Sequence, residues 1–342
     1  MTVIGPSGGT GTLHNGGSGH PERPARVDAV MAGVADVALE LGSDLEIMAP
    51  RPADSTALTR VHTAAYLAQL EEFSREGGGH LDPDTIARPD SWEAALLSAG
   101  AGLQAIDVLR RRGDGVAFVA TRPPGHHALA DRAMGFCLLN NVAVSAAALA
   151  AEGERVLIVD WDVHHGNGTQ ALFWDNPSVL YVSTHQSPFY PGTGGAGEVG
   201  GDGARGLTVN VPLPAGATGD VVRRALNEVA APVIDGFAPT WVLISAGFDA
   251  HRADPLADLA LSSGDFADLA RTVAAYAPRP GRVVAHLEGG YDLEALRASV
   301  AATLGALAQA PAPAGGEHRT SGGPGGELVD RAAAARQRAL GL

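Results

Sequence analysis

"RVLIVDWDVHHGNGTQ", residues 155–170, is the stretch on which the reading of this chain turns. An apolar run, Val156 to Val159, ends directly in Asp160, Asp162, His164 and His165. Such groups are costly to bury unless something pairs with them. A metal ion is the partner this pattern suggests.

Four other runs share the continuous apolar character: 115–121, 178–185, 240–247 and 282–290, with 206–214 as a further candidate. Continuous rather than alternating runs mark strands covered on both faces, as in a parallel sheet. Helix-like stretches lie between them, at 91–112, 135–152, 218–236, 264–277 and 292–309. Asp90 or Ser91, and later Asp292, stand where N-caps are expected. Alternating strands and helices imply βαβ units and a layered α/β fold. The glycine-rich first fifteen residues read as loop, and "APAPAGGEHRTSGGPGGE" (310–327) as a linker. The expected organisation is one domain over residues 1–310 and a Pro/Gly-rich linker with a short tail over 311–342. The tail can form a short helix, docked or free.

The chain has 342 residues, 45% of them hydrophobic, and a formal charge of 24 − 38 = −14. The acidic balance argues against nucleic acid as a partner and weakly favours cationic substrates. The single cysteine, Cys137, excludes an internal disulfide framework and fits a reducing compartment. No signal peptide and no membrane-length apolar run is present, so the expected location is cytoplasmic, with no membrane partner. The acidic surface and the tail permit a homo-oligomer.

Four polar clusters follow strand-like runs: "RPPGHHA" (122–128), "DWDVHHGNGT" (160–169), "GFDAHRADP" (247–255) and "EGGYD" (288–292). Ligands of open α/β sheets bind beyond the carboxyl ends of the strands, so the clusters should converge on one cleft. Asp162 and His164, two apart on an extended segment, point the same way. Asp249 can add a third ligand. One carboxylate–imidazole–carboxylate set suits zinc, iron(II) or manganese, and three protein ligands leave a position open for chemistry. Read alone, the Asp-x-His pair is as readily a helix cap and a surface histidine, and Asp249 an N-cap. His126 and His127 are candidate proton-transfer groups, with Asp160 and Asn167 able to orient them. Tyr291, after two glycines, is either an oxyanion donor or an ordinary packing aromatic.

Taken together, "GHPERPAR" (19–26), "RPPGHHA", "GFCLLNNVAV" (135–144), "DWDVHHGNGT", "SAGFDAH" and "LEGGYD" resemble the zinc-dependent histone deacetylase superfamily. The likeness is to its class II-like bacterial branch of histone deacetylase-like amidohydrolases and acetylpolyamine amidohydrolases, over about residues 19–305. It implies the arginase–deacetylase fold, a three-layer αβα arrangement with a mostly parallel eight-stranded sheet. It implies zinc on Asp162, His164 and Asp249, with iron(II) as the alternative metal. It implies His127 as general base, His126 as its charge-stabilising neighbour, and Asp160 and Asn167 as their respective orienting groups. Tyr291 matches the tyrosine that polarises the scissile carbonyl. Phe136 and Tyr190 match the two aromatics of the acyl-lysine channel, where Gly135 and Leu256 also belong. Asp160, Asp162, His164, Ser183 and Thr184 match a structural potassium site, mostly through backbone oxygens.

The resemblance leaves differences. Tyr190 stands where phenylalanine is usual. Leu256 replaces the glutamate that polyamine-selective eukaryotic members carry, which argues against charge-based polyamine recognition. The family's first strand is reduced to "TVIG". The implied reaction is hydrolysis of an acyl-lysine or a related small-molecule N-acyl amine. The rival readings are an acetylpolyamine deacetylase, a non-catalytic acyl-binding module, and a binuclear manganese ureohydrolase, which would need more bridging carboxylates.

Overall fold

The computed structural model describes residues 1–6, 10–17, 19–310 and 316–342. Eight strands form one sheet: β1 Thr2–Ile4, β2 Glu46–Met48, β3 Ala117–Val119, β4 Val156–Asp160, β5 Val179–Gln186, β6 Thr208–Leu213, β7 Trp241–Ala246 and β8 Val283–Leu287. Their spatial order is β2-β1-β3-β8-β7-β4-β5-β6, and every pairing is parallel.

The helices that frame the site are α1 Ala25–Leu41, α2 Ser91–Arg112, α3 Asn141–Ala151, α4 Asn167–Phe173, α5 Gly219–Ala225, α6 Ala231–Phe237, α7 Ser263–Ala274, α8 Leu293–Leu307 and α9 Gly326–Leu340. They cover both sheet faces, which explains the continuous apolar strands. Val156 and Ile158 of β4 enter the core under α2 and α3, and Leu157 and Val159 enter the core under α7 and α8. The period-2 side-chain alternation thus feeds two separate hydrophobic layers.

Local chemistry sets several boundaries. Ser262 and Asp265 form a capping box at the start of α7. Asp292 accepts the N–H of Ala295 at 2.8 Å and starts α8. The helix expected over 135–152 begins only at Asn141, because Gly135 and Phe136 take left-handed φ values of 55° and 66° and Asn140 supplies the cap. The run 218–236 is interrupted by a π-turn over Leu226–Ala230.

The reading of the opening residues as loop needs correction: Thr2–Ile4, within the "TVIG" to which the resemblance reduces the first strand, forms β1 between β2 and β3. The edge strand β2, only three residues long and partly exposed, has no counterpart among the apolar runs, and the 17-residue helix α1 is not among the expected helices. Residues 311–315, within the run read as a linker, lie outside the described residues. From residue 316 the chain runs along α7 and then forms α9. There Arg336 donates to the Thr208 and Gly206 carbonyls beside the edge strand β6. Among the described residues no helix is long and apolar enough to cross a membrane.

Ile158 is fully buried beneath α2 and α3, two residues before Asp160. Ile158→Ala should lower the unfolding free energy by about 2–4 kcal/mol, read from urea denaturation. A loss below about 0.5 kcal/mol would mean that this layer is not tightly packed.

Candidate active site

The four polar clusters follow β3, β8, β7 and β4, which are four consecutive neighbours in the sheet. The register sets Asp160 beside Ser245, and Ser245 beside His286. Adjacent parallel strands therefore deliver all four loops to one edge, as the clusters' positions after the strands imply.

Asp162, His164 and Asp249 converge there. Their candidate ligand atoms lie within 4.8 Å of one another. His164 Nδ1 is 3.1 Å from Asp162 Oδ1 and 3.3 Å from Asp249 Oδ2. The other carboxylate oxygens are held by backbone N–H donors: Gly289 to Asp162 Oδ2 at 2.8 Å, and Val163 to Asp249 Oδ1 at 2.9 Å. Asp249 Oδ2 is buried and accepts no hydrogen bond. A Cβ at Gly289 would sit 2.0 Å from that oxygen and 2.7 Å from Asp162 Oδ2, so only glycine leaves this space open. Burial disfavours a charged His164, yet Asp162 and Asp249 outweigh it and raise its pKa to about 10. The donors thus attract one positive charge to the point they share, and a divalent cation fits it.

His126, Cys137 and Glu288 also bring ligand atoms within 4.8 Å of one another. Glu288, however, already accepts from Gly125 N at 2.7 Å, His126 N at 3.1 Å and Ser245 Oγ at 3.1 Å. That group is an internal hydrogen-bond cluster bracing the histidine turn.

The paired histidines are held in different electrostatic states. His126 Nδ1 lies 3.0 Å from Asp160 Oδ2, which also accepts from Tyr181 Oη at 3.0 Å. Burial opposes charge on His126, but Asp162 and Asp160 outweigh it and hold its pKa well above the ordinary value. His127 Nδ1 lies 2.8 Å from Asn167 Oδ1. Burial, then the charges of His126 and His164, push His127 well below its ordinary value. Neighbouring charges thus favour the imidazolium form of His126 and the neutral form of His127, whose rings lie 4.0 Å apart, centroid to centroid, tilted by 43°. Gly166 permits this layer, since a Cβ there would lie 2.3 Å from Asp160 Oδ2.

Tyr291 is buried and faces Phe136 edge-on at 5.8 Å. Tyr190, 38% exposed, sets its ring against His127 at 5.2 Å, and Phe189 stacks on His164 at 5.2 Å. A Cβ on Gly135 would lie 2.4 Å from the His127 ring. Leu256 is half-buried, and its N–H is held by Asp254. Ser183 lies opposite Asp160 in the β4–β5 register, and Thr184 follows it on β5.

Sequence reasoning assigned no role to several supporting residues. Asp254 accepts from Tyr291 N at 2.7 Å, and burial, then Asp249, raises its pKa to about 7. Arg26 donates to the Gly290 carbonyl at 2.6 Å, with its guanidinium 4.8 Å from the Tyr291 ring centroid. Glu22 pairs with Arg122 and Arg26 beneath them. Glu22, Arg26, Arg122, Asp254 and Glu288 all lie inside the quoted motifs. Nothing in a linear motif separates a buried brace from a reacting group.

Comparison with known proteins agrees with this geometry. The histone deacetylase domain model matches residues 20–307. The chain belongs to the histone deacetylase family. A histone deacetylase-like amidohydrolase of Pseudomonas aeruginosa is 41% identical over 80% of this chain and 73% of its own length. A probable deacetylase of Archaeoglobus fulgidus is 39% identical over 80% of this chain and 77% of its own. The crystal structure of the HDA15 HD domain matches with a TM-score of 0.87 at 34% identity, covering 99% of this chain and 94% of that one. The fold is therefore the arginase–deacetylase fold, and the chain is a deacetylase of the amidohydrolase type.

The Glu22 cluster yields a pH prediction. Burial alone would raise Glu22, but Arg122, His14 and Arg26 hold it at about 2, against 4.5 unperturbed. A depressed folded pKa stabilises fully above the unfolded value, and the effect drains away as pH falls toward the folded value. The contribution is on the order of 3 kcal/mol. Urea unfolding between about pH 5 and about pH 3 should show wild type losing stability more steeply than Glu22→Gln. Parallel slopes would contradict the assignment.

Proposed function

We propose that this deacetylase hydrolyses the amide of an N-acylated amine, with acyl-lysine as its preferred substrate class and zinc held by Asp162, His164 and Asp249. The observation that carries the reading is Asp249 Oδ2, buried without a hydrogen-bond donor and facing the His164 ring nitrogen and Asp162. Iron(II) suits the same donors. Bound there, the metal supplies Lewis acidity to the acyl carbonyl and makes a water molecule acidic near neutral pH.

The protein's own groups do the rest. Asn167 Oδ1 accepts from His127 Nδ1–H, which leaves the Nε2 lone pair free to take the proton of the attacking water. His126, kept charged by its carboxylates, stabilises the negative charge that develops beside it. The Tyr291 hydroxyl donates to the carbonyl oxygen as it becomes an oxyanion, and it stays protonated because burial raises its pKa. As the C–N bond breaks, His127 returns the proton to the leaving amine. Phe136 and Tyr190 wall the approach for the acyl-bearing chain, and the Tyr190 hydroxyl gives this channel a polar point. Leu256 offers no charge to a polyamine. A structural potassium ion at the ends of β4 and β5, involving Asp160, Asp162, His164, Ser183 and Thr184, belongs to the same reading.

A panel of acyl-lysine peptides, acetylpolyamines and small N-acyl amides, assayed with defined metal content, tests this. Acyl-lysine turnover should lead the panel, and Tyr291→Phe should lower kcat by about 10²–10³-fold. Faster turnover of acetylpolyamines would reassign the substrate. Unchanged kcat in Tyr291→Phe would remove the hydroxyl from the mechanism.

A further inference from the structure

The C-terminal segment lies beyond the part of the chain matched by the family model, which ends at residue 307. Yet it touches the loop that carries two parts of the site. The Glu317 carboxylate accepts from three donors at once: His251 Nε2 at 2.9 Å, the Ser263 N–H at the start of α7 at 2.9 Å, and the Arg252 guanidinium. His251 Nδ1 accepts from Ala253 N at 3.1 Å, so the ring carries its proton on Nε2 and donates it to Glu317. The strap follows α7 closely here. A Cβ on Gly264 would lie 2.3 Å from the Glu317 carbonyl oxygen, and Ser262 Oγ donates to the His318 carbonyl at 2.8 Å. Thr320 anchors the next step, with its hydroxyl donating to Asp265 at 2.7 Å and accepting from Gly219 N at 2.8 Å.

The gripped residues sit inside the active-site loop. Asp249 stands two residues before His251. Asp254 stands two residues after Arg252 and holds Tyr291 N at 2.7 Å and Leu256 N at 2.9 Å. The loop has little regular structure of its own: beside the bridge between His251 and Leu261, it is tied back by Phe248 N to the Gly289 carbonyl at 3.0 Å and by Asp258 N to Gln186 at 2.9 Å.

We infer that Glu317 is a positioning residue for the catalytic centre: by joining His251, Arg252 and the start of α7, it fixes the loop that presents Asp249 and seats Tyr291. The inference rests on the roles given above to those two residues. A purely local role would leave Glu317 stabilising the tail alone. A positioning role makes metal retention and turnover depend on a side chain that touches neither metal nor substrate. Partners outside the ligand shell commonly contribute in this way.

The test uses the full chain loaded with zinc. Zinc transfer to a chromogenic chelator is timed, kcat and KM are measured on an acetyl-lysine reporter, and thermal unfolding is recorded. Glu317→Ala should release zinc about tenfold faster and lower kcat about tenfold, with KM within about twofold. Thr320→Val, which loosens the strap beyond Glu317, should lower the melting temperature while zinc release stays at the wild-type rate. If Glu317→Ala does not fold, Glu317→Gln carries the comparison. Wild-type zinc release and kcat in the Glu317 variant would overturn the inference. So would equal acceleration in Thr320→Val, which would make the effect one of general docking. If wild type binds zinc but leaves the reporter intact, the proposed reaction fails, and accelerated zinc release in Glu317→Ala still supports the positioning role.

Discussion

Everything in this molecule answers to four carboxylates buried at one edge of a parallel sheet. Asp160, Asp162, Asp249 and Glu288 are all fully buried at the ends of β4, β7 and β8. Moving even one such ion out of water costs several kcal/mol unless it is matched. Asp160 is matched by His126 and Tyr181. Glu288 is matched by two backbone N–H groups and Ser245. Asp162 takes the Gly289 N–H, and Asp249 takes that of Val163. Asp162 Oδ1 also accepts from the His164 N–H at 2.9 Å, so what stays without a donor is Asp249 Oδ2, where it faces His164. The charge arithmetic of the fold therefore leaves room for one cation at one place.

The same arithmetic divides labour between the adjacent histidines. Both are buried and adjacent, their rings tilted by 43°, yet their neighbours push them in opposite directions. His126 faces two carboxylates, while His127 faces an amide and two imidazoles. Asn167, an amide rather than a carboxylate, orients His127 without bringing a negative charge to it. Beneath this layer, the buried Glu22–Arg26–Arg122 cluster fixes the turn that carries Tyr291. Polar groups are tolerated inside because each is paired with another, and the pairs are linked from loop to loop.

Much of the fold was legible from two features: continuous apolar strands, and polar clusters at their ends. Val156–Asp160 announced both its burial on two faces and its functional terminus. The convergence of the four loops followed from parallel-sheet geometry, and the family resemblance supplied the eight-stranded, three-layer plan. The short edge strand β2 was illegible because three partly exposed residues carry no periodic signal. The late start of α3 depended on left-handed backbone at Gly135 and Phe136, which an alanine-rich run conceals. Within the site, donor type and spacing made Asp162, His164 and Asp249 candidates, and the family resemblance singled them out. Asp254 and Glu317 could not, because their importance lies in backbone N–H groups and loop contacts that exist only after folding. The tail is the clearest case, since its composition resembles a linker while Glu317 and Thr320 join it to α7.

The central claim is that three side chains from two loops create one tight cation site. The most direct measurement is calorimetric titration of metal-stripped protein with zinc, for wild type and Asp249→Asn side by side. The account predicts one tight equivalent in wild type and loss of that tight site in the variant, with the fold retained. Absence of a tight site in wild type, or unchanged tight binding in Asp249→Asn, would contradict it.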